Sequence, residues 1–501
     1  MENLIGLLGL TWILAISWFF SEDRGAISYR SVLAGLALQF FLAGTILKGE
    51  VLAEFLQNIS PSGKVILILI IAQVALVFIL RLTPLWKSIT KHIRVRTIYY
   101  ALALEIVYYL LLHNAIGRFF EGLAAGAREL LAYSEKGATF VFGPLGSSEK
   151  LKELFGPVLG DKIGSFSVLF AFQILPTIIF VASLFAVLYY LHLMQPVVRL
   201  LGKAMQKVFR SSGAESLSVA ANIFMGQTEA PLTVLPYLGA MTRSELFTIM
   251  VSGMSHASAG ILLAYAAVAG ADPKHLIASV VMASPICIML SKMWVPEKGT
   301  PQTAGGALPR ESAGEDKAVN VVDAAARGAQ NGLTLAANVA AMLLAFIALI
   351  ALLNGIWGEV RQFLIWALGN LVGTTVWLEK LPKTLEEILG FLFAPVSYSL
   401  GVSWVEALSL GKLLGTRLVL NEFVGYIELG AIREILSEKA FVVATYMLCG
   451  FGNISSVAIQ VGGLGALIPH RRHELASLGM KAVLVGTLTN LFAAASVGLI
   501  L

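Results

Sequence analysis

Two carboxylates stand inside apolar stretches of this chain: Glu229 in FMGQTEAPLTVLPYL and Glu422 in LLGTRLVLNEFVGYIEL. At membrane depth an ionisable group costs at least about 2.5–3.5 kcal/mol to insert, so it faces a cavity or a partner. Helix-breaking and polar residues surround each one: Gly226, Gln227, Thr228 and Pro231 around the first, Asn421 and Gly425 around the second. Interrupted apolar segments placed in both halves of a chain point to a transporter's substrate site.

Each glutamate is followed by a second unusual stretch, SGMSHASAG at 252–260 and CGFGNISSVAIQVGG at 449–463. Glu229 precedes Gly253 by 24 residues, and Glu422 precedes Gly450 by 28. Glycine and serine runs at membrane depth unwind a helix, freeing carbonyls for cations and hydroxyls or amides for substrates. Packing through small residues competes with that explanation. It is weaker for the second run, which also holds Asn453, Ser455, Ser456 and Gln460.

The elements that position these residues follow from composition. Of 501 residues, 57% are hydrophobic and only 13% charged, against about 25% in soluble domains. Mean hydropathy is +0.80. The expected fold is an all-α polytopic membrane protein, because a barrel would alternate in short strands. The net charge of +5 is no nucleic-acid footprint, since the basic residues fall in short loops. Cys287 and Cys449 lie in apolar segments and read as buried thiols. The run 3–20 has no basic leader or small-residue cleavage site and reads as a retained span.

Apolar runs give about ten transmembrane helices, near 3–20, 31–47, 64–82, 97–114, 166–192, 245–269, 275–294, 332–356, 439–462 and 478–500. The broken stretches 212–240 and 385–426 suit re-entrant helical hairpins, tolerated where protein or water lines the backbone. Basic loops after the third and fifth spans and before the last fall on one side if both termini face outward. The hairpins then enter from opposite sides, as an inverted pair. Residues 115–163 hold an amphipathic stretch suited to the interface, and 296–318 read as a cytoplasmic linker between the halves.

At GQTEAPL, LVLNEFVGY and CGFGNISSVAIQVGGLG the chain closely resembles the concentrative nucleoside transporter family, and flanking segments over 27–47 and 114–500 agree. The resemblance implies a homotrimer in the inner membrane, with a scaffold part and a mobile transport part moving by an elevator-type alternation. It divides the chain into N-terminal scaffold spans (1–47), an extra two-span insertion with a basic loop (48–113), and an interfacial helix with a scaffold span (114–210). The first half of the transport part (211–295), a linker with an interfacial helix (296–331), a scaffold span with an outer connection (332–384) and the second half of the transport part (385–501) complete it.

The resemblance also implies site roles. The nucleobase falls to Gly226, Gln227, Thr228, Glu229 and Ile261, and the ribose to Glu422, Phe451, Asn453 and Ser456. The coupling cation falls to Asn222, the carbonyl of Met225, and positions His256 and Ala257. The chemistry agrees: Gln227 offers acceptor and donors to a flat base, and a carboxylate such as Glu422 accepts strongly from sugar hydroxyls. No cofactor is expected beyond a coupling ion, sodium or proton, and the partners are a nucleoside and membrane lipid.

Three departures stand out. His256 replaces the serine or threonine of sodium-linked members, and imidazole is a poor ligand for a hard cation but can carry a proton. The insertion 48–113 suits peripheral packing or anionic lipid. Gly452 stands where alanine is common, a change expected to loosen a helix without removing a contact. The leading reading is cation-coupled nucleoside import. Import of a nucleobase or nucleoside analogue with protons is the alternative. An intramembrane enzyme would be a different class, and no metal cluster, Ser–His or Cys–His arrangement in the sequence supports it.

Overall fold

The computed structural model describes residues 2–59, 73, 95–159, 169–305, 318–372 and 382–501, and among them there is no strand. The chain divides into two compact units, one of Met1–Gln39, Ala124–Leu499 and Leu501, the other of Phe40–Leu123 with Ile500. Helices α1 (Glu2–Phe19) and α2 (Tyr29–Leu47) come first.

The smaller unit contains α3 (Gly49–Ile59) and α4 (Val95–Leu112). Leu56, Tyr108 and Tyr109 pack around buried Leu112, and Gln57 Nε2 donates to the Leu112 carbonyl at 3.0 Å. Of the insertion's expected spans, α4 matches the second. The first, 64–82, lies outside the described residues but for Gln73, as does most of the basic loop.

Helix α5 (Ala115–Phe142) starts in the smaller unit and belongs to the larger one from Ala124 on, which continues with α6 (Ser148–Leu159), α7 (Leu175–Tyr190) and α8 (Met194–Phe209). The first hairpin then forms from α9 (Gly213–Ala221), a short 3-10 turn (Ala230–Val234) and α10 (Leu235–Leu238). It leads into α11 (Arg243–Ser255), α12 (Ala259–Ala269) and α13 (Pro273–Trp294). The second half runs α14 (Val321–Val372), α15 (Leu385–Tyr398), α16 (Trp404–Val419), α17 (Glu422–Ala431), α18 (Glu438–Leu448), α19 (Ile454–Leu467) and α20 (Arg472–Ile500).

Capping residues mark out the repeat. Ser212 with Glu215, Thr242 with Glu245, and Ser403 with Glu406 form capping boxes that open α9, α11 and α16, and Ser437 caps α18. Each box satisfies amides that a helix start leaves bare. Ser212→Ala is expected to lower stability by about 1 kcal/mol, read as a lower melting temperature of the detergent-solubilised protein.

The second hairpin is α16–α17, spanning 404–431, and not 385–426. Helix α15 is a separate element. Gly401, with φ +90°, turns the chain after it, and the Ser403 box starts a new helix. Helix α15 lies on α16 through glycines: a Cβ on Gly411 would come within 2.5 Å of the Gly390 carbonyl oxygen, and one on Gly415 within 2.5 Å of Leu389 Cβ. Such close backbone approach is how helices associate in lipid.

Helix α14 is also longer than its expected span of 332–356. Its 52 residues would reach about 78 Å at 1.5 Å per residue, so the expected interfacial helix before 332 is its first turns. Gly328 and Gly332 pack it against α7, near Ala182 and Ile179. Six stretches among the described residues are long and apolar enough to cross a membrane. Of the four expected spans that do not qualify, 64–82 lies outside the described residues but for Gln73, 3–20 and 97–114 count only as the shorter apolar helices Ile5–Phe19 and Ala103–Leu112, and 439–462 is two helices end to end. The stretch 245–269 is broken in the same way, although it still qualifies by length.

The linker is docked where it is described. Thr303 Oγ1 accepts from the Ala214 amide at 3.0 Å, and the Thr303 carbonyl from the Gly213 amide at 3.2 Å. Lys292 on α13 ion-pairs with Glu215 of the hairpin at 2.8 Å and with Glu297 at 3.3 Å, anchoring the hairpin's base.

Candidate functional site

Both broken helices come apart where the glycine and serine runs predict. Helix α11 ends at Ser255, His256 is extended, and Ser258 begins α12. Helix α18 ends at Leu448, and Asn453 opens α19, its side chain accepting from the Ser456 amide. The carbonyls freed by these breaks share one donor. Asn490 Nδ2, from α20, reaches the Ser255 carbonyl at 2.8 Å and the Cys449 carbonyl at 2.5 Å.

Asn490 is itself held. Its Oδ1 accepts from Arg417 Nη2 at 2.6 Å, and Arg417 Nη1 donates to the Met447 carbonyl at 2.5 Å. Gly452 lies in the break and not in a helix. A Cβ there would meet Arg417 Nη2 at 2.8 Å and Thr487 Oγ1 at 2.9 Å. Glycine at this position makes room for Arg417, so the expectation of a merely looser helix is corrected.

Glu422 is the first residue of α17, where the positive end of the helix dipole favours a carboxylate. Asn421 caps that helix by accepting from the Val424 amide at 3.0 Å. Only 4% of Glu422 is exposed, yet both carboxylate oxygens have donors: Tyr265 Oη at 2.8 Å on Oε1 and Asn453 Nδ2 at 3.1 Å on Oε2. Asn453 Oδ1 accepts from the hydroxyls of Ser455 at 2.7 Å and Ser456 at 3.0 Å. Tyr265 is stacked on Tyr426, ring centroids 4.3 Å apart. Each carboxylate oxygen keeps acceptor capacity for a further donor.

Glu229 differs. It is exposed to the cavity, and its Oε2 accepts from the Gly226 amide at 3.1 Å, closing the hairpin tip on itself. Gln227 is nearly buried, with an Oε1 that has no protein partner. A cavity of about 1260 Å³ separates the two hairpins, and its wall includes Gly226, Gln227, Thr228, Glu229, Ile261, Glu422, Phe451, Asn453 and Ser456. All nine candidate substrate contacts thus meet in one space. Met225 lines it too, as do Asn331 and Asn338 of α14, and it reaches His192 and Arg199 near the α7–α8 turn.

Asn222, His256 and Ala257 lie behind that wall, all at most 1% exposed. Asn222 Nδ2 donates to Ser252 Oγ at 2.9 Å. Both nitrogens of the His256 ring are engaged: Nδ1 donates to the Ser252 carbonyl at 2.8 Å, and Nε2 shares a hydrogen bond with Ser284 Oγ at 2.8 Å. A carbonyl can only accept, so Nδ1 carries a proton. The oxygens that this position has to offer are those of its backbone carbonyls.

Three residues that complete the site were not among the sequence candidates. Tyr265 follows Ile261 by one helical turn, a spacing that places both on one face. Arg417, an intramembrane cation five residues before Glu422, carried the same energetic signal as the glutamates. Asn490 gave only a lone polar side chain in a long apolar run.

The chain is similar to known transporters in sequence and in fold. Residues 275–498 match the family description "Na+ dependent nucleoside transporter C-terminus", 171–272 match "Nucleoside recognition", and 8–80 and 74–145 match "Na+ dependent nucleoside transporter N-terminus". The chain is 41% identical to the "Uncharacterized transporter YutK" of Bacillus subtilis, over 84% of this chain and 97% of that one. It is 38% identical to the "Nucleoside permease NupC" of Helicobacter pylori, over 83% and 93% respectively. The structure of CNTnw in an inward-facing, substrate-bound state matches with a TM-score of 0.76 at 34% identity, covering all of this chain and 98% of that one.

Proposed function

The chain belongs to the Na+-dependent, concentrative nucleoside transporter family, and from that premise we propose that it imports nucleosides with sodium by alternating access of a mobile transport part. It is a multi-pass helical membrane transporter of the cation-coupled nucleoside class, not an enzyme. The observation that carries the finer reading is Glu422, held between Tyr265 and Asn453 on the cavity wall across from the first hairpin. A nucleoside is neutral, with donor hydroxyls on one end and a flat base on the other. Glu422, Asn453 and Ser456 take the ribose, with Phe451 beside it, while Gly226, Gln227, Thr228, Glu229 and Ile261 take the base.

Sodium is proposed at Asn222 with the carbonyls of Met225, His256 and Ala257, an oxygen set suited to a hard cation. The His256 ring is spent on Ser252 and Ser284, so nothing observed there favours a proton carrier. The repeat of hairpin, broken helix and closing helix supports an elevator movement in which α9–α13 and α16–α20 travel together against a scaffold. A homotrimer in the inner membrane, with both termini extracytoplasmic, completes the proposal.

The test is uptake of radiolabelled uridine and adenosine into proteoliposomes, with sodium and proton gradients imposed separately. Accumulation driven by sodium is expected; accumulation driven only by protons would overturn the choice of ion. Tyr265→Phe, which removes one of the two donors on Glu422, is expected to weaken uridine binding by about 1 kcal/mol, roughly fivefold in KM.

A further inference from the structure

The two repeats make the same contact with different side chains. In the first, the end of α9 touches the last turn of α11 through Asn222 Nδ2 on Ser252 Oγ at 2.9 Å. In the second, the end of α16 touches the last turn of α18 through Arg417, whose Nη1 donates to the Met447 carbonyl at 2.5 Å. Arg417 is wholly buried, at 0% exposed; it makes no direct ion pair among the described residues, and the carboxylate that acts on it electrostatically, from farther off, is Glu422. A guanidinium does not shed its proton in a protein, so a permanent positive charge occupies this place.

The atoms around that charge are oxygens. Met447 offers a carbonyl and Asn490 its Oδ1, both already facing the guanidinium. Thr487 Oγ1 is buried without a partner, 2.9 Å from where a Cβ on Gly452 would stand, and the same Cβ would be 2.8 Å from Arg417 Nη2. Carbonyl, carboxamide and hydroxyl oxygens are the ligands that hard cations prefer. Gly452 leaves the space in which they converge.

We propose that Arg417 is a tethered cation filling the second repeat's counterpart of the sodium position, so that one mobile cation travels with each nucleoside. Taking the guanidinium away uncovers a second, oxygen-lined cation site. The inference rests on the sodium-coupled reading of Asn222 and Met225, and it adds the number of ions to that reading.

The experiment uses the full-length protein in proteoliposomes, with membrane potential set by potassium and valinomycin. The potential that just balances a known sodium and uridine gradient gives the charge moved per uridine, because each elementary charge responds in proportion to the potential. The wild type is expected to move one charge, with a hyperbolic dependence of uptake on sodium. Arg417→Ala is expected to show a sigmoidal sodium dependence and a second sodium-dependent rise in melting temperature, whereas Arg417→Lys keeps the single-ion behaviour. Two charges per uridine in the wild type would overturn the inference, and this decides the matter even if Arg417→Ala does not fold. A folded, active Arg417→Ala protein with unchanged one-sodium behaviour would overturn it too. Absence of any sodium-driven uptake in the wild type would instead sink the sodium reading on which it rests.

Discussion

Glu422→Gln is expected to lose ribonucleoside binding by ~10- to 150-fold, the equivalent of one charge-assisted hydrogen bond worth about 1.5–3 kcal/mol. The reason lies in what surrounds the carboxylate. Tyr265 and Asn453 both point donors at it, one on each oxygen. A carboxamide has a single acceptor oxygen, so its NH2 would face one of those donors and its charge would no longer meet the sugar hydroxyls. Equilibrium binding of uridine to purified protein measures the loss, and 2′,3′-dideoxyuridine supplies the control. That analogue lacks the ring hydroxyls and should lose far less affinity between wild type and variant. Near-normal uridine binding in the variant would remove Glu422 from the ribose site.

The second large effect is structural. Gly450 has φ +154°, and a Cβ there would stand 2.5 Å from Asn490 Oδ1 and 2.7 Å from the Ser255 carbonyl oxygen. Neither neighbour can yield easily, because Asn490 is fixed by Arg417 on one side and by the two freed carbonyls on the other. Backbone strain of about 1–3 kcal/mol and overpacking of similar size act together in Gly450→Ala. A sharp fall in monodisperse protein and in melting temperature is expected. Gly462→Ala is the matched control, since a Cβ at that position meets nothing within 4 Å, and it should be nearly silent.

The residues legible in the sequence were those that break a rule on their own. Glu229 and Glu422 are charges at membrane depth, and the runs at 252–260 and 449–463 are breakers inside apolar text. Each signal is local, so no partner was needed to see it. The edges of the second hairpin were misread because α15 is as apolar as the hairpin it precedes. The local sign of that boundary is the Ser-x-x-Glu box at Ser403 and Glu406, which hydropathy alone does not register. The lattice around Arg417, Asn490 and the Cys449 carbonyl was illegible for another reason. Its members lie 30 to 235 positions apart, and nothing in their local text says that they meet. His256 shows the same limit: its residue type suggested proton chemistry, and only its partners reveal a ring already satisfied.

The docking of Thr303 against Gly213 and Ala214 bears on where this chain can be divided. The halves do not meet at Trp294, where the last helix of the first one stops. The following residues, through Thr303, serve as the missing first-turn partners of a helix some ninety positions earlier. A gene split into two reading frames should therefore place its break beyond Gly305 and before Val321, so that the upstream polypeptide keeps its own cap. A break placed ahead of Thr303 would assign that cap to the wrong product, and co-expression of the two pieces should then rebuild the transporter poorly.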